Sequence, residues 1–226
     1  MLWDIDGTLV ETAQHGRWAF ADAFLEVFGR PAADALVPMA GRTDHSIAIA
    51  ILNREGVADA ESHLPRMYEA LHGALAARRD RIATEGSAMP GAHEAIEAIA
   101  ARDGTLQSLL TGNIEANAAV KLSAFGLERL LDLEIGAYAT DSGVRSELVA
   151  VARAKAAAKL GAEVAVKDTV VVGDTPLDVE AAKVGGARTV AVATGSYSVA
   201  QLEATEADAV LEDLRDAAAV VRAVGL

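Results

Sequence analysis

The sequence predicts an α/β protein in which a parallel sheet carries helices on both faces and an all-helical domain is inserted near the start. Three observations support this. The stretch from about residue 15 to 82 reads as helix throughout, with no convincing strand. After residue 86, short apolar strands alternate with amphipathic helices, and parallel strands need such crossovers. Three of the apolar strands end in small polar loops, the place where open parallel sheets bind ligands.

The elements follow in order. Met1 to Trp3 is a short apolar strand that stops at Asp4, and Gly7-Thr8 then breaks the run. Phe20, Phe24 and Phe28 recur every four residues, predicting a helix from about Gly16 that stops at Gly29 and Pro31. Ile47, Ile51 and Leu52 support a second helix, and Leu64, Met67, Leu71 and Leu75 a third. Beyond the Gly86-Ser87 and Pro90-Gly91 breaks come helix Ala92 to Ala101, strand Thr105 to Leu110, helix Glu115 to Phe125 and strand Leu133 to Ala137. Helix Ser146 to Leu160, strand Thr169 to Val172, helix Leu177 to Val184 and strand Thr189 to Val192 complete the alternation. A weaker strand at Ala209 to Leu211 and a helix from Leu214 close the chain.

Composition narrows the function. A formal charge of −13 opposes nucleic acid and anionic lipid as partners, and no run of Lys and Arg offers a local exception. There is no cysteine, which excludes disulfides and thiolate chemistry. No apolar run reaches membrane-span length, and the acidic start lacks a signal-peptide pattern, so a cytoplasmic location is expected. The oligomeric state is left open.

The chemistry sits in the loops. Asp4 to Thr8, Thr111-Gly112-Asn113 and Gly173-Asp174-Thr175 each follow an apolar strand and belong to one rim. That rim gathers Asp4, Asp6 and Asp174, with Asp178 one helical turn on. Carboxylates so placed repel one another, and magnesium is their natural neutraliser, since it keeps open positions for water and a phosphate oxygen. Asp4 is then a candidate nucleophile and Asp6 the acid and base. Thr111 offers a hydroxyl, and Gly112 and Asn113 offer backbone N–H groups, to a phosphate. For the completing cation, Arg145 is preferred to Lys155, because Arg145 precedes a helix on the same rim whereas Lys155 lies mid-helix. Each motif alone is an ordinary turn; it is their conjunction that points to a site.

Taken together, these motifs resemble the haloacid dehalogenase superfamily, in its phosphatase branch with a helical cap inserted after the first motif. The resemblance rests on Asp4-Ile5-Asp6-Gly7-Thr8-Leu9-Val10, Thr111-Gly112-Asn113, Arg145, and Gly173-Asp174-Thr175-Pro176-Leu177-Asp178. It implies a Rossmann-like core from residues 1–14 and 83–226 and a cap from 15–82. It also implies magnesium held by Asp4, the backbone carbonyl of Asp6, and Asp174, with Asp178 behind them. Two departures stand out: only Met1, Leu2 and Trp3 precede Asp4, and Val144-Arg145-Ser146 fills a place where this family commonly has Lys-Pro.

Within the superfamily, Asp6 argues against dehalogenases, which lack that residue. The first lysine of the chain, Lys121, lies beyond the cap, against phosphonate-cleaving members. His15 lies near the hinge position of beta-phosphoglucomutase relatives but one residue early, which leaves a phosphosugar mutase as the second reading. Gly41-Arg42-Thr43-Asp44 resembles the substrate-facing segment of phosphoglycolate phosphatase-like members, where Arg42 would read an anionic group. The expected substrate is a small phosphorylated metabolite such as phosphoglycolate. The alternative from another class is a silent phosphate-binding or receiver-like protein. Receiver domains, however, are about half this length and place the phosphorylated Asp on a middle strand.

Overall fold

In the computed structural model, which describes residues 1–33 and 37–226, five parallel strands form the sheet, in the order β4-β1-β5-β6-β7. They are β1 (Leu2–Trp3), β4 (Ser108–Leu109), β5 (Val170–Gly173), β6 (Arg188–Val192) and β7 (Ala209–Leu211). The fold is a Rossmann-like α/β architecture. β1 is only two residues long but lies inside the sheet, with Leu2 opposite Ser108 and Val171 and Trp3 opposite Leu109 and Val172.

Side chains alternate across a strand, and here the alternation sorts the core into two faces. Trp3, Val170, Val172, Val190 and Val192 pack with α5 (Ala92–Ala100), α6 (Glu115–Ser123) and α10 (Ala217–Val224). Leu2 and Val171 face the other way, onto α7 (Leu148–Leu160) and α8 (Pro176–Val184). Trp3 is wholly buried, and its indole N–H donates to Gln107 Oε1 at 3.1 Å, so the ring fills the core without stranding a polar atom.

The early helices are α1 (His15–Phe28), α2 (Asp44–Arg54), α3 (Leu64–Ala76) and α4 (Arg79–Glu85). Phe20, Phe24, Ile47, Ile51, Met67, Leu71 and Leu75 form a core of their own, as the phenylalanine spacing anticipates. No helix among the described residues is long and apolar enough to cross a membrane.

The structure adds elements that the sequence pattern does not show and removes one that it does. β2 (Val10–Glu11) pairs antiparallel with β3 (Ser87–Ala88), tying the chain where it leaves for the helices to the chain where it returns. Two residues per strand are too few to show a period. A short α9 (Val199–Glu203) starts from a Ser198/Gln201 capping box. The expected strand Leu133 to Ala137 is instead a 3-10 turn over Leu133–Ile135, and only Ala137 bridges to Leu110. Tyr138 Oη donates to Leu133 O at 2.6 Å across that turn, in which Ile135 is buried and Leu133 half-buried without joining the ladder.

Candidate active site

The carboxyl ends of β1, β4, β5 and β6 open onto a cavity of about 380 Å³, whose opposite wall comes from α1, α2, α3 and residues 39–42. The loop after β1 is wound tightly. Leu9 and Val10 both donate to Ile5 O, and Gly7 N donates to Val10 O at 2.9 Å. Gly7 has φ +81°, and a Cβ there would stand 2.5 Å from Asp174 Oδ2, so only glycine lets the two loops approach.

Asp4, Asp174 and Asp178 are buried, with one carboxylate oxygen from each lying within 4.8 Å of the others. The Arg145 guanidinium reaches into this group: Nη2 contacts Asp4 Oδ1 at 2.7 Å and also pairs with Asp178 Oδ1, while Nη1 donates to Gly41 O at 3.1 Å. Nε of Arg145 is buried and has no partner among the described residues. Lys155 is bound elsewhere, to Gly136 O and Asp141 Oδ2 at 2.8 Å each.

One guanidinium cannot neutralise three carboxylates. Burial, then the neighbouring Asp178 and Asp6, push Asp4 up to about 7 against the pull of Arg145. Burial, then Asp4 and Asp178, push Asp174 up to about 8. Burial works against the Arg145 charge, but Asp178 and Asp4 outweigh it and hold the guanidinium protonated beyond its usual range. A divalent cation would restore the balance, and the donor set, all hard oxygen, suits magnesium. Asp178 is largely committed: its Oδ2 accepts from Thr175 N at 3.0 Å and Thr175 Oγ1 at 2.7 Å in a capping box at the start of α8. Asp174 accepts from Thr8 Oγ1 at 3.1 Å.

Asp6 is built differently. Its side chain is 46% exposed, and Lys121 Nζ approaches its two oxygens at 2.7 and 2.6 Å. Asn113 Nδ2 donates to Asp6 Oδ2 at 2.8 Å, and Lys121 donates to Asn113 Oδ1 at 2.6 Å, which closes a triangle. Asn113 Nδ2 also donates to Thr111 Oγ1 at 2.8 Å. The sequence pattern places Lys121 only beyond the cap and gives it no part in the site. A signal was present: positions 113, 117 and 121 are polar at spacings of four, and Asn117 and Lys121 are buried on one face of α6.

Residues 41–44 rest directly on this rim. Asp44 N donates to Gly112 O at 2.6 Å, and Asp44 Oδ2 accepts from Ile114 N at 2.8 Å. Thr43 Oγ1 donates to Gly143 O at 3.0 Å. A Cβ on Gly112 would lie 2.2 Å from Arg42 O. Burial raises Asp44 to about 6, against the pull of Lys121 and the Ile114 N–H.

The two remaining candidates have their polar groups engaged by the protein itself. The Arg42 guanidinium folds back on its own segment, donating to Pro38 O at 3.1 Å, Ser46 O at 2.7 Å and Ser46 Oγ at 3.3 Å. His15 is fully buried outside the cavity lining; Nε2 donates to Glu85 Oε2 at 3.0 Å and the ring packs edge-on to Trp18. Ala13 and Gln14, both with left-handed φ, turn the chain so that Gly16 and Arg17 rather than His15 face the site.

Several solved structures share this fold. A hydrolase from Pseudomonas syringae superposes with a TM-score of 0.67 at 23% identity, covering 98% of this chain and 96% of its own. A protein from Bacteroides vulgatus provisionally named a beta-phosphoglucomutase gives 0.67 at 21%, covering 100% and 89%. One from Lactobacillus plantarum provisionally named a phosphoglycolate phosphatase gives 0.66 at 16%, covering 97% of each chain. At these identities the likeness is one of fold. No curated protein matches the chain. The family model described as haloacid dehalogenase-like hydrolase matches residues 1–183, most of the chain and every acidic residue of the rim, and the protein therefore belongs to the haloacid dehalogenase-like hydrolases.

Proposed function

We propose that the protein is a magnesium-dependent phosphatase that cleaves a small phosphomonoester through a covalent intermediate on Asp4. The observation that carries this reading is the buried group of Asp4, Asp174 and Asp178 with Arg145, among the described residues, as its single directly paired cation. Magnesium would be held by Asp4, Asp174 and the backbone carbonyl of Asp6, and would neutralise these acids and the phosphate together. Asp178, already bound to Thr175 and Arg145, would orient the guanidinium.

The Asp4 carboxylate attacks phosphorus as the bond to the leaving oxygen breaks, giving an aspartyl-phosphate. Arg145, with its unpartnered Nε, and the Thr111 hydroxyl hold the phosphoryl oxygens, whose charge is what this reaction chiefly needs stabilised. Asp6, the more exposed carboxyl, protonates the leaving oxygen and then takes a proton from the water that releases phosphate. Residues 15–82 act as a cap, with 41–44 as their contact with the rim.

A phosphosugar mutase is less well supported, because His15 is bound to Glu85 away from the cavity. A silent binding protein is less well supported because every acid the chemistry needs is present on the rim. The test is phosphate release from 4-nitrophenyl phosphate with and without magnesium, using Asp4→Asn as control. Magnesium-dependent turnover lost in Asp4→Asn supports the reading, and phosphate binding without turnover in the wild type overturns it.

A further inference from the structure

We infer that Arg17 is a substrate-selecting residue, one that reads a carboxylate carried by the leaving-group end of the phosphomonoester. This rests on the phosphatase reading and names the substrate class of the same cavity. Four cations line that cavity: Arg17, Arg42, Lys121 and Arg145. Three are committed. Arg145 is taken by Asp4 and Asp178, Lys121 by Asp6 and Asn113, and Arg42 by its own segment. Arg17, half-buried in the first turn of α1, makes no ion pair or side-chain hydrogen bond among the described residues. Five acidic side chains share the cavity lining, yet none closes on it.

An unpaired guanidinium in a cavity of a chain with charge −13 is a ready site for an external anion. Its planar fork matches a carboxylate bidentately. A second phosphate, with about two charges, would call for a second free cation, and the cavity offers none. The position also fits. A Cβ on Gly16 would lie 3.9 Å from Lys121 Nζ, so the start of α1 sits over the Lys121–Asp6 pair. Asp6 is the acid proposed to meet the leaving oxygen, and a group bonded to that oxygen therefore lies toward Arg17. Ala13 and Gln14 hold left-handed backbone at φ 50° and 70° immediately before this turn. Such conformations are costly and persist where the surroundings enforce them.

The test compares kcat/KM for phosphoglycolate with that for 2-hydroxyethyl phosphate, in which an uncharged CH2OH replaces the carboxylate, under magnesium. The wild type should prefer phosphoglycolate. Arg17→Gln should reduce that preference at least about tenfold, the loss of a charged hydrogen-bonding partner, and Arg17→Lys should retain part of it. Because the Arg17 side chain makes no ion pair or hydrogen bond among the described residues, both variants should melt with the wild type. An unchanged preference in Arg17→Gln overturns the inference, as does a preference that collapses in Arg42→Gln but not in Arg17→Gln. Wild-type turnover of both esters without preference overturns it while leaving the phosphatase reading intact. No turnover of either ester or of 4-nitrophenyl phosphate removes the phosphatase reading and this inference with it.

Discussion

Lys121 Nζ approaches both carboxylate oxygens of Asp6, at 2.7 and 2.6 Å, from a helix face that is otherwise buried. The pair fixes the direction of the one rim carboxyl with substantial exposure. Lys121→Met keeps the stem and removes the charge. It should lower kcat by up to about a hundredfold, as misplacement of a reacting group does, with Asp6→Asn already so slow that adding Lys121→Met changes little. Steady-state kinetics of the two single variants and the double variant check this coupling.

Asp4→Asn should abolish turnover without loss of fold. One of three mutually repelling buried carboxylates disappears, and Arg145 keeps Asp178. The metal-free variant should therefore melt no lower than the wild type. Thermal melts in chelator beside phosphate-release assays provide the measurement.

The raised acids set a sign for pH. Asp4 and Asp174 rise from 3.8 to about 7 and about 8 in the folded state. Between about pH 4 and 8 the folded protein holds protons that the unfolded chain has lost, so their contribution to stability falls as pH rises. Magnesium favours the ionised forms and should reverse this, releasing protons as it binds. The magnesium-induced rise in melting temperature should be larger at pH 8 than at pH 5.5, and Asp174→Asn should remove most of the difference.

Gly112→Ala places a methyl 2.2 Å from Arg42 O, against backbone rather than a movable side chain. Residues 41–44 must lift, breaking the Asp44 N to Gly112 O and Ile114 N to Asp44 bonds. Activity should fall at least about tenfold, and stability by about 1–3 kcal/mol, the range for overpacking. Kinetics and denaturant melts read the two effects, and limited proteolysis should cut first near residues 41–44.

Some of this was legible because it is local. Asp4, Asp6, Thr111, Arg145 and Asp174 each follow a strand or precede a helix, and the strand–loop–helix pattern places such residues on one rim without any knowledge of packing. The β2–β3 ladder was not legible, since four residues carry no period. Nor was the turn at Leu133, whose carbonyl accepts a hydrogen bond from a tyrosine five residues on.

The α/β class, the acidic rim and the family can be read from the chain alone, because these depend on residue type and order along it. Which cations are available depends instead on packing. Arg42 is taken up by carbonyls within four residues of it, His15 is turned to Glu85 by two left-handed residues, Lys121 is brought to Asp6 across 115 positions, and Arg17 is left without a partner among the described residues. A charge in a sequence is free to act on a substrate only if the folded chain has not already neutralised it, and that depends on distances between residues far apart in sequence.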